Sequence, residues 1–225
     1  MTHIQLLEEL SPTDRTILLD RAVERILSPD EILHLAGDRP ERVHLVIEGI
    51  VKLSARASNG NETILGLTMP GAVVGDIAAI DGRGQPLDAI TVTPCTLLGF
   101  DARLFVEVVF RNPAASLALA QAGMQRMRWV IDTAVERTSG EVEERLAGRL
   151  LDLARMLGRP VGTGVELELP VGQRDLGKLA GMCRESACKT LRRMRSDGIV
   201  DYDGRRLRIL RPNSLQMMRC GSATD

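Results

Sequence analysis

One stretch constrains this chain more tightly than the rest: Gly172–Arg195, GQRDLGKLAGMCRESACKTLRRMR. Leu176, Leu179 and Ala180 recur at helical spacing and predict a short helix with one apolar face. Gly177 falls on the inner side, where a missing Cβ lets a second helix cross closely. Gly181 can adopt the left-handed conformation that ends the first helix. A second helix from about Arg184 buries Ala187, Leu191 and Met194 and turns Arg184, Glu185, Lys189, Arg192 and Arg193 outward. Two helices with a small residue inside and a glycine at the turn describe a helix-turn-helix, and a polar, basic second helix suits a DNA major groove. The same residues nearly spell a phosphate-binding loop, Gly172-x4-Gly177-Lys178. Leu179, however, stands where a serine or threonine should hold magnesium, and the glycine-lysine pair lies inside the helical pattern.

Charge supports that reading through its distribution. The 225 residues carry a net charge of −1, but Gly172–Arg211 holds 11 Lys/Arg against 5 Asp/Glu, and residues 1–139 hold 13 against 18. An acidic front and a basic back suit a nucleic-acid module joined to something else. Cys95, Cys183, Cys188 and Cys220 show no framework spacing, as expected in a reducing cytoplasm. No secretory leader or apolar run of membrane length is read, so the expected location is cytoplasmic, with no membrane partner.

Along the chain, Ile4–Leu10 and Ser11–Ile26 read as short helices, the second opened by Ser11-Pro12-Thr13-Asp14 with cap, proline and acid in order. From Glu31 to Arg103, β-type runs at Val43–Ile47, Ile50–Leu53, Thr63–Leu67, Ala89–Thr93 and Thr96–Gly99 alternate with turn signals. These are Gly37-Asp38, Glu48-Gly49, Asn59-Gly60, Pro70-Gly71 and Asp81-Gly82. Such spacing indicates an all-β sandwich or barrel with a mainly aliphatic core. Asn112-Pro113 opens a long helix to about Ser139, in which Leu117, Ala120, Met124, Met127, Ile131 and Ala134 form a heptad seam. That seam suits a two-stranded coiled coil, the alternative being a helix packed on its own barrel. Beyond Gly140, Glu141–Leu157 predicts an amphipathic helix, Gly158–Gly164 a loop and Val165–Leu169 a strand. Ile199–Tyr202 and Arg206–Leu210 flank Asp203-Gly204 as a basic hairpin, or wing, and the tail from Pro212 is expected to lack regular structure.

From about Leu10 to Arg211 the chain resembles the Crp/Fnr superfamily of transcription regulators. The resemblance is carried by Gly37-Asp38, Gly49, Gly60-x-Glu62, Gly71 and Gly75-Asp76, then the long helix, then Leu176-Gly177…Gly181-x-x-Arg184-Glu185-Ser186. It implies an α+β architecture: an N-terminal antiparallel β-roll (a cyclic-nucleotide-binding-like jelly roll) with short helices over 1–111, a dimerisation helix over 112–139 and a winged helix-turn-helix over 140–225. It also implies a homodimer on an inverted-repeat operator in double-stranded DNA, acting through RNA polymerase.

Carried over by position, Arg184, Glu185 and Lys189 are the base readers, glutamate accepting from cytosine and the cations donating to guanine. Ser186, Arg193 and Arg206 are the phosphate contacts. Leu117, Met124, Met127 and Ile131 form the dimer interface. Cys183 stands at the helix start where the family usually has serine; beside Arg184 and at a positive helix end it is a candidate for reversible oxidation, the simpler reading being a small residue that fits.

The effector pocket would comprise Gly75, Asp76, Gln85, Val130 and Ile131. Cyclic-nucleotide-binding members place an Arg-Ser or Arg-Thr pair where this chain has Gln85-Pro86, and polar residues where it has Val130 and Ile131. Without that cation a phosphodiester would be costly to desolvate, so control by cyclic AMP is not expected, although Arg83 lies two positions away. A cyclic-nucleotide regulator with an atypical pocket stays open as the alternative, as does a ligand-binding module acting on a protein. No cysteine precedes Cys95, which disfavours an iron–sulfur cluster, and His34 and His44 read as surface or edge residues rather than haem ligands. Nothing in the sequence supplies a positioned catalytic partner, metal set or nucleophile for Asp76, Asp81 and Glu62, so neither an enzyme nor a metal or other cofactor is expected.

Overall fold

The computed structural model describes residues 5–58 and 60–219; Ile4, Asn59 and Cys220 fall outside that set. The chain divides into two compact units, Met1–Val130 and Ile131–Asp225.

In the first unit, α1 (Gln5–Glu8) and α2 (Pro12–Asp20) lead into β1 (Val23–Leu27). Ser11 caps α2 by accepting from the Asp14 amide at 3.1 Å. The helix stops at Asp20, six residues short of the expected end, because Val23–Leu27 pairs antiparallel with β8 and so joins the sheet. The strands β2 (Ile32–His34), β3 (Arg42–Glu48), β4 (Val51–Arg56), β5 (Glu62–Thr68) and β6 (Val73–Val74) follow. Then come α3 (Asp76–Asp81), β7 (Asp88–Thr91), β8 (Cys95–Asp101), α4 (Ala102–Arg111) and α5 (Pro113–Ser139), which runs on into the second unit. Two four-stranded antiparallel sheets result, ordered β1-β8-β3-β6 and β2-β7-β4-β5. One core cluster draws on both: Leu27, Val46, Val74 and Leu97 from the first, Val51 and Ala89 from the second. This is the β-roll.

Two helices here have no counterpart in the sequence reading. α3 fills the segment before the Asp81-Gly82 turn signal and ends on it; Gly75 (φ 89°) and Gly82 (φ 71°) bracket the helix in left-handed conformations. α4 is capped by Asp101, which accepts from the Leu104 amide at 2.9 Å, and buries Ala102, Phe105, Val108 and Val109.

Along α5, Ala115 and Leu119 are buried in the roll core, and the Trp129 ring lies over Gly66. The heptad seam points elsewhere: Leu117, Ala120, Met124, Met127, Ile131 and Ala134 are all exposed. The face that packs on the roll is thus a different one from the seam face.

The second unit contains the end of α5, α6 (Val142–Leu157), β9 (Arg159–Val161), β10 (Gly164–Glu168), α7 (Gln173–Leu179), α8 (Arg184–Ser196), β11 (Val200–Asp203), β12 (Arg206–Ile209) and α9 (Pro212–Arg219). Its sheet is ordered β11-β12-β10-β9. β9 lies in the segment expected to be loop. α9 replaces the expected unstructured tail over Pro212–Arg219, because Leu215 is fully buried and Arg219 reaches Glu136 and Asp152, each at 3.3 Å.

Candidate nucleic-acid interface

α7 and α8 cross where the sequence allows them to. A Cβ on Gly177 would lie 3.1 Å from the Met182 carbonyl oxygen and 3.4 Å from the Ala187 Cβ, so only glycine fits without displacement. Leu176, Leu179 and Ala180 on one side and Ala187, Leu191 and Met194 on α8 are all buried, as is Thr190. Gly181 takes φ 64° in the turn. Cys183 holds the N-cap position of α8 without a side-chain cap bond. Its Sγ lies 3.2 Å from the Ser186 hydroxyl. The Cys188 thiol instead donates to Gln173 Oε1 at 3.0 Å, so the two thiols serve different partners.

The outward face of α8 divides into free and tied cations. Arg184, Lys189 and Arg192 are exposed and make no ion pair with any described residue; Glu185 stands exposed among them. Arg193 instead donates to Glu143 of α6 at 2.6 Å and lies 3.9 Å from Asp197. Arg195 pairs with Asp201 at 2.9 Å and sits over the Tyr202 ring, 5.0 Å from its centroid.

The wing shows the same division. Glu166 of β10 accepts from Arg208 Nε at 2.5 Å and lies 3.9 Å from Arg206 Nε, while Arg205 at the hairpin tip enters no ion pair with a described residue. The Arg208 hydrogen bond, then the Arg208 and Arg206 charges, hold the Glu166 carboxyl below its usual range. Of the expected phosphate contacts, Ser186 is half-buried beside Cys183, and Arg193 and Arg206 lie near internal carboxylates. Arg192, given no role from the sequence, lies on the face of Glu185 and Lys189. The intervals of four and three residues from 185 to 192 were the available signal.

In the roll, Gly75, Asp76 and Gln85 come together. A Cβ on Gly75 would approach the Arg42 carbonyl oxygen to 2.9 Å and Gln85 Nε2 to 3.3 Å. Both Asp76 oxygens accept from Arg126 of α5, Oδ1 from Nη1 at 3.1 Å and Oδ2 from Nη2; Nη1 also reaches the Val73 carbonyl at 3.3 Å. Arg126 sits between two seam methionines, and nothing in that pattern marked it as a partner for Asp76. Val130 and Ile131 occupy exposed positions on α5.

His44 is not the surface or edge residue its strand-like run suggested. β3 is an inner strand of its sheet, the imidazole lies against Gly99, and neither ring nitrogen has a hydrogen-bond partner among the described residues. Burial, reinforced by Arg25, His34 and Arg42, pushes its pKa down to about 4. Burial also lowers that of His34, partly offset by Asp38 and Asp88. Among the described residues, no three His, Cys, Asp or Glu gather as a metal site, and no helix is long and apolar enough to cross a membrane.

Comparison with known proteins agrees with both halves of this geometry. Residues 24–112 match the family model of the cyclic nucleotide-binding domain, and residues 144–218 that of the Crp-like helix-turn-helix domain. The chain is 24% identical over 169 residues to a CRP-like cAMP-activated global transcriptional regulator of Mycobacterium tuberculosis, covering 75% of each. It is likewise 24% identical to the global nitrogen regulator of Synechococcus elongatus, covering 80% of this chain and 82% of that one. Among solved structures, FixK2 of Bradyrhizobium japonicum shares the fold with a TM-score of 0.79 at 23% identity, over 90% of this chain and 99% of that one. With a cyclic-nucleotide-binding-type roll followed by a Crp-like DNA-binding helix-turn-helix, the chain belongs to the Crp/Fnr family of transcription regulators.

Proposed function

We propose that the protein is a cytoplasmic homodimeric regulator that reads an inverted-repeat operator with α8, acts through RNA polymerase and is not controlled by cyclic AMP. The observation that carries this reading is the exposed face of α8, where Arg184, Glu185, Lys189 and Arg192 make no ion pair with any described residue. Glu185 and Lys189 are one turn apart, so both side chains enter one groove, glutamate accepting from a cytosine amino group and lysine donating to guanine. Arg184 reads beside them, and Ser186 contacts the backbone. Arg193 and Arg206 join only by exchanging Glu143 and Glu166 for phosphate, whereas Arg192 and Arg205 need no exchange.

Dimerisation joins the exposed Leu117–Ala134 seams of two copies, with Met127 and Ile131 near the centre. The working parts are then a sensor roll over 1–111, a dimer helix over 112–139 and a DNA-binding domain over 140–225. In the roll, Asp76 already has a guanidinium partner, and Gln85-Pro86 offers no cation to a phosphodiester. Cys183, exposed at the start of α8, adds redox control: its sulfur takes an oxygen from peroxide, releasing water, and the sulfenic acid beside the phosphates weakens binding until thiol reduces it.

The test is selection of bound sequences from random DNA by the purified protein, with and without cyclic AMP and after graded peroxide, alongside its mass in solution. A palindromic site bound by a dimer, indifferent to cyclic AMP and peroxide-sensitive in wild type but not in Cys183→Ser, is expected. Met127→Glu should split the dimer and abolish tight binding. A monomer, or tight binding only with cyclic AMP, would overturn the corresponding part.

A further inference from the structure

The turn between α7 and α8 is gripped by two arginines from outside the helix-turn-helix. Ala180 ends α7, and its carbonyl accepts from Arg145 Nε at 3.2 Å. The same guanidinium donates through Nη1 to the carbonyl of Gly140 at 2.8 Å, at the break between α5 and α6. Carbonyls at helix ends lack intrahelical donors and carry the negative end of the helix dipole. Arg145 therefore serves two helix ends at once, those of α5 and α7.

The break it reaches is itself fixed. The Glu141 amide donates to Glu144 Oε2 at 2.9 Å in the capping box that opens α6. A second arginine closes the bracket: the Arg137 side chain, from the last turns of α5, lies on the bare face of Gly181. A Cβ there would sit 2.8 Å from Arg137 Nε and 3.4 Å from its Cγ and Cδ. Arg137 Nε and Nη2 are buried without a described partner, so this side chain contributes by contact and not through an ion pair.

We infer that Arg145, with Arg137 beside it, is a positioning residue that sets the recognition helix against the end of α5. The helix it positions starts just past the gripped turn, with Cys183 at the cap and Arg184 and Glu185 next. Displacing the turn therefore displaces the first base-reading side chains directly. Base readout depends on hydrogen-bond direction, whereas phosphate attraction tolerates small shifts. The inference rests on the DNA-reading role proposed above for α8.

The distinguishing variant is Arg145→Met, which keeps an apolar stem and removes both carbonyl bonds. Arg145→Lys retains the charge, but its compact ammonium cannot span both carbonyls as a planar fork does. Anisotropy titrations would use full-length protein on its own selected site and on a scrambled duplex, each across a salt series. Arg145→Met should bind the selected site about tenfold to a hundredfold more weakly, and scrambled DNA within about threefold of wild type at an unchanged salt slope. Arg145→Lys should fall between, and amide exchange over residues 180–183 should quicken in the order wild type, lysine, methionine.

Unchanged affinity for the selected site would overturn the inference. So would an equal loss on both duplexes with a salt slope shallower by about one, since that marks Arg145 as a phosphate contact. If Arg145→Met does not unfold cooperatively, Arg145→Lys decides by the same two readouts. Failure of the DNA-reading proposal looks different: the wild type then selects no sequence at all.

Discussion

In the roll, Asp76 meets Arg126, and Lys52 of β4 lies 3.0 Å from Glu62 of β5, with both of the latter side chains nearly out of water. On α8, Arg184, Glu185, Lys189 and Arg192 stand in solvent with no ion pair to any described residue. Both regions are charged, and burial separates them. A charge removed from water requires a partner within the fold, whereas an exposed one costs little unpaired and remains available to an outside anion. Pairing in the roll therefore follows from burial, whereas these four charges on α8 remain available to a partner.

The largest expected effect tests the roll side of this contrast. The Asp76 side chain is 5% exposed and that of Arg126 34%, so the two halves of the pair are not equivalent. Arg126→Met strands a buried carboxylate and should cost about 3–5 kcal/mol in urea unfolding. Asp76→Asn leaves a guanidinium that can hydrate and should cost only about 1–2 kcal/mol. Equal costs would mean that burial does not govern the pair.

His44 sharpens the same contrast, being a buried titratable group with no hydrogen-bond partner among the described residues. Its folded pKa of about 4 lies below the ordinary 6.5, so between those values the unfolded chain takes up the proton and the folded chain does not. Stability should therefore fall as pH drops below 6.5, the contribution reaching about 3 kcal/mol once pH passes 4. Arg25, Arg42 and His34 all add positive charge near the ring, which opposes protonation. Denaturant titrations at pH 7 and 4.5 should show the loss in wild type and a smaller one in His44→Phe. An equal loss in both would assign the acid sensitivity to other groups.

How legible each region was in the sequence follows from range. The α7–α8 pair depends on spacing within 24 residues, so periodicity and two glycines located it. The five strands expected in the roll all formed, three of them set off at both ends by glycine turns. What escaped was decided by distant residues. Val23–Leu27 reads as helix until β8 supplies its ladder, α9 is ordered by Glu136 and Asp152, and Arg126 becomes meaningful only once α5 lies beside Asp76. For the interface, sequence identified which residues face outward. It could not show that Glu143 and Glu166 engage some of those cations and leave others free.

On the α8 side, Glu185→Ala should relax preference at one base pair in each half-site, about 1–3 kcal/mol on the selected operator, while binding to scrambled DNA stays unchanged. Competition titrations with single-base variants of the site would show it. A uniform loss across all variants would return Glu185 to the role of a solvated surface residue.

The smallest effect concerns the cations themselves. Arg192 pairs with no described residue, whereas Arg208 is held by Glu166 at 2.5 Å. A free arginine that meets a phosphate displaces a counterion, so Arg192→Ala should make the salt dependence of binding shallower by about one. Arg208→Ala should change the slope by much less, because its charge is already offset within the wing. Glu166→Ala runs the comparison in reverse: it releases Arg208, relieves Arg206 of a nearby negative charge, and should steepen the slope by up to about one unit, tightening binding to any sequence alike. The three slopes belong on one scrambled duplex, where base readout contributes nothing. If Arg208→Ala reduced the slope as much as Arg192→Ala, an internal ion pair would not withhold an arginine from DNA, and the division between free and tied cations would lose its functional meaning.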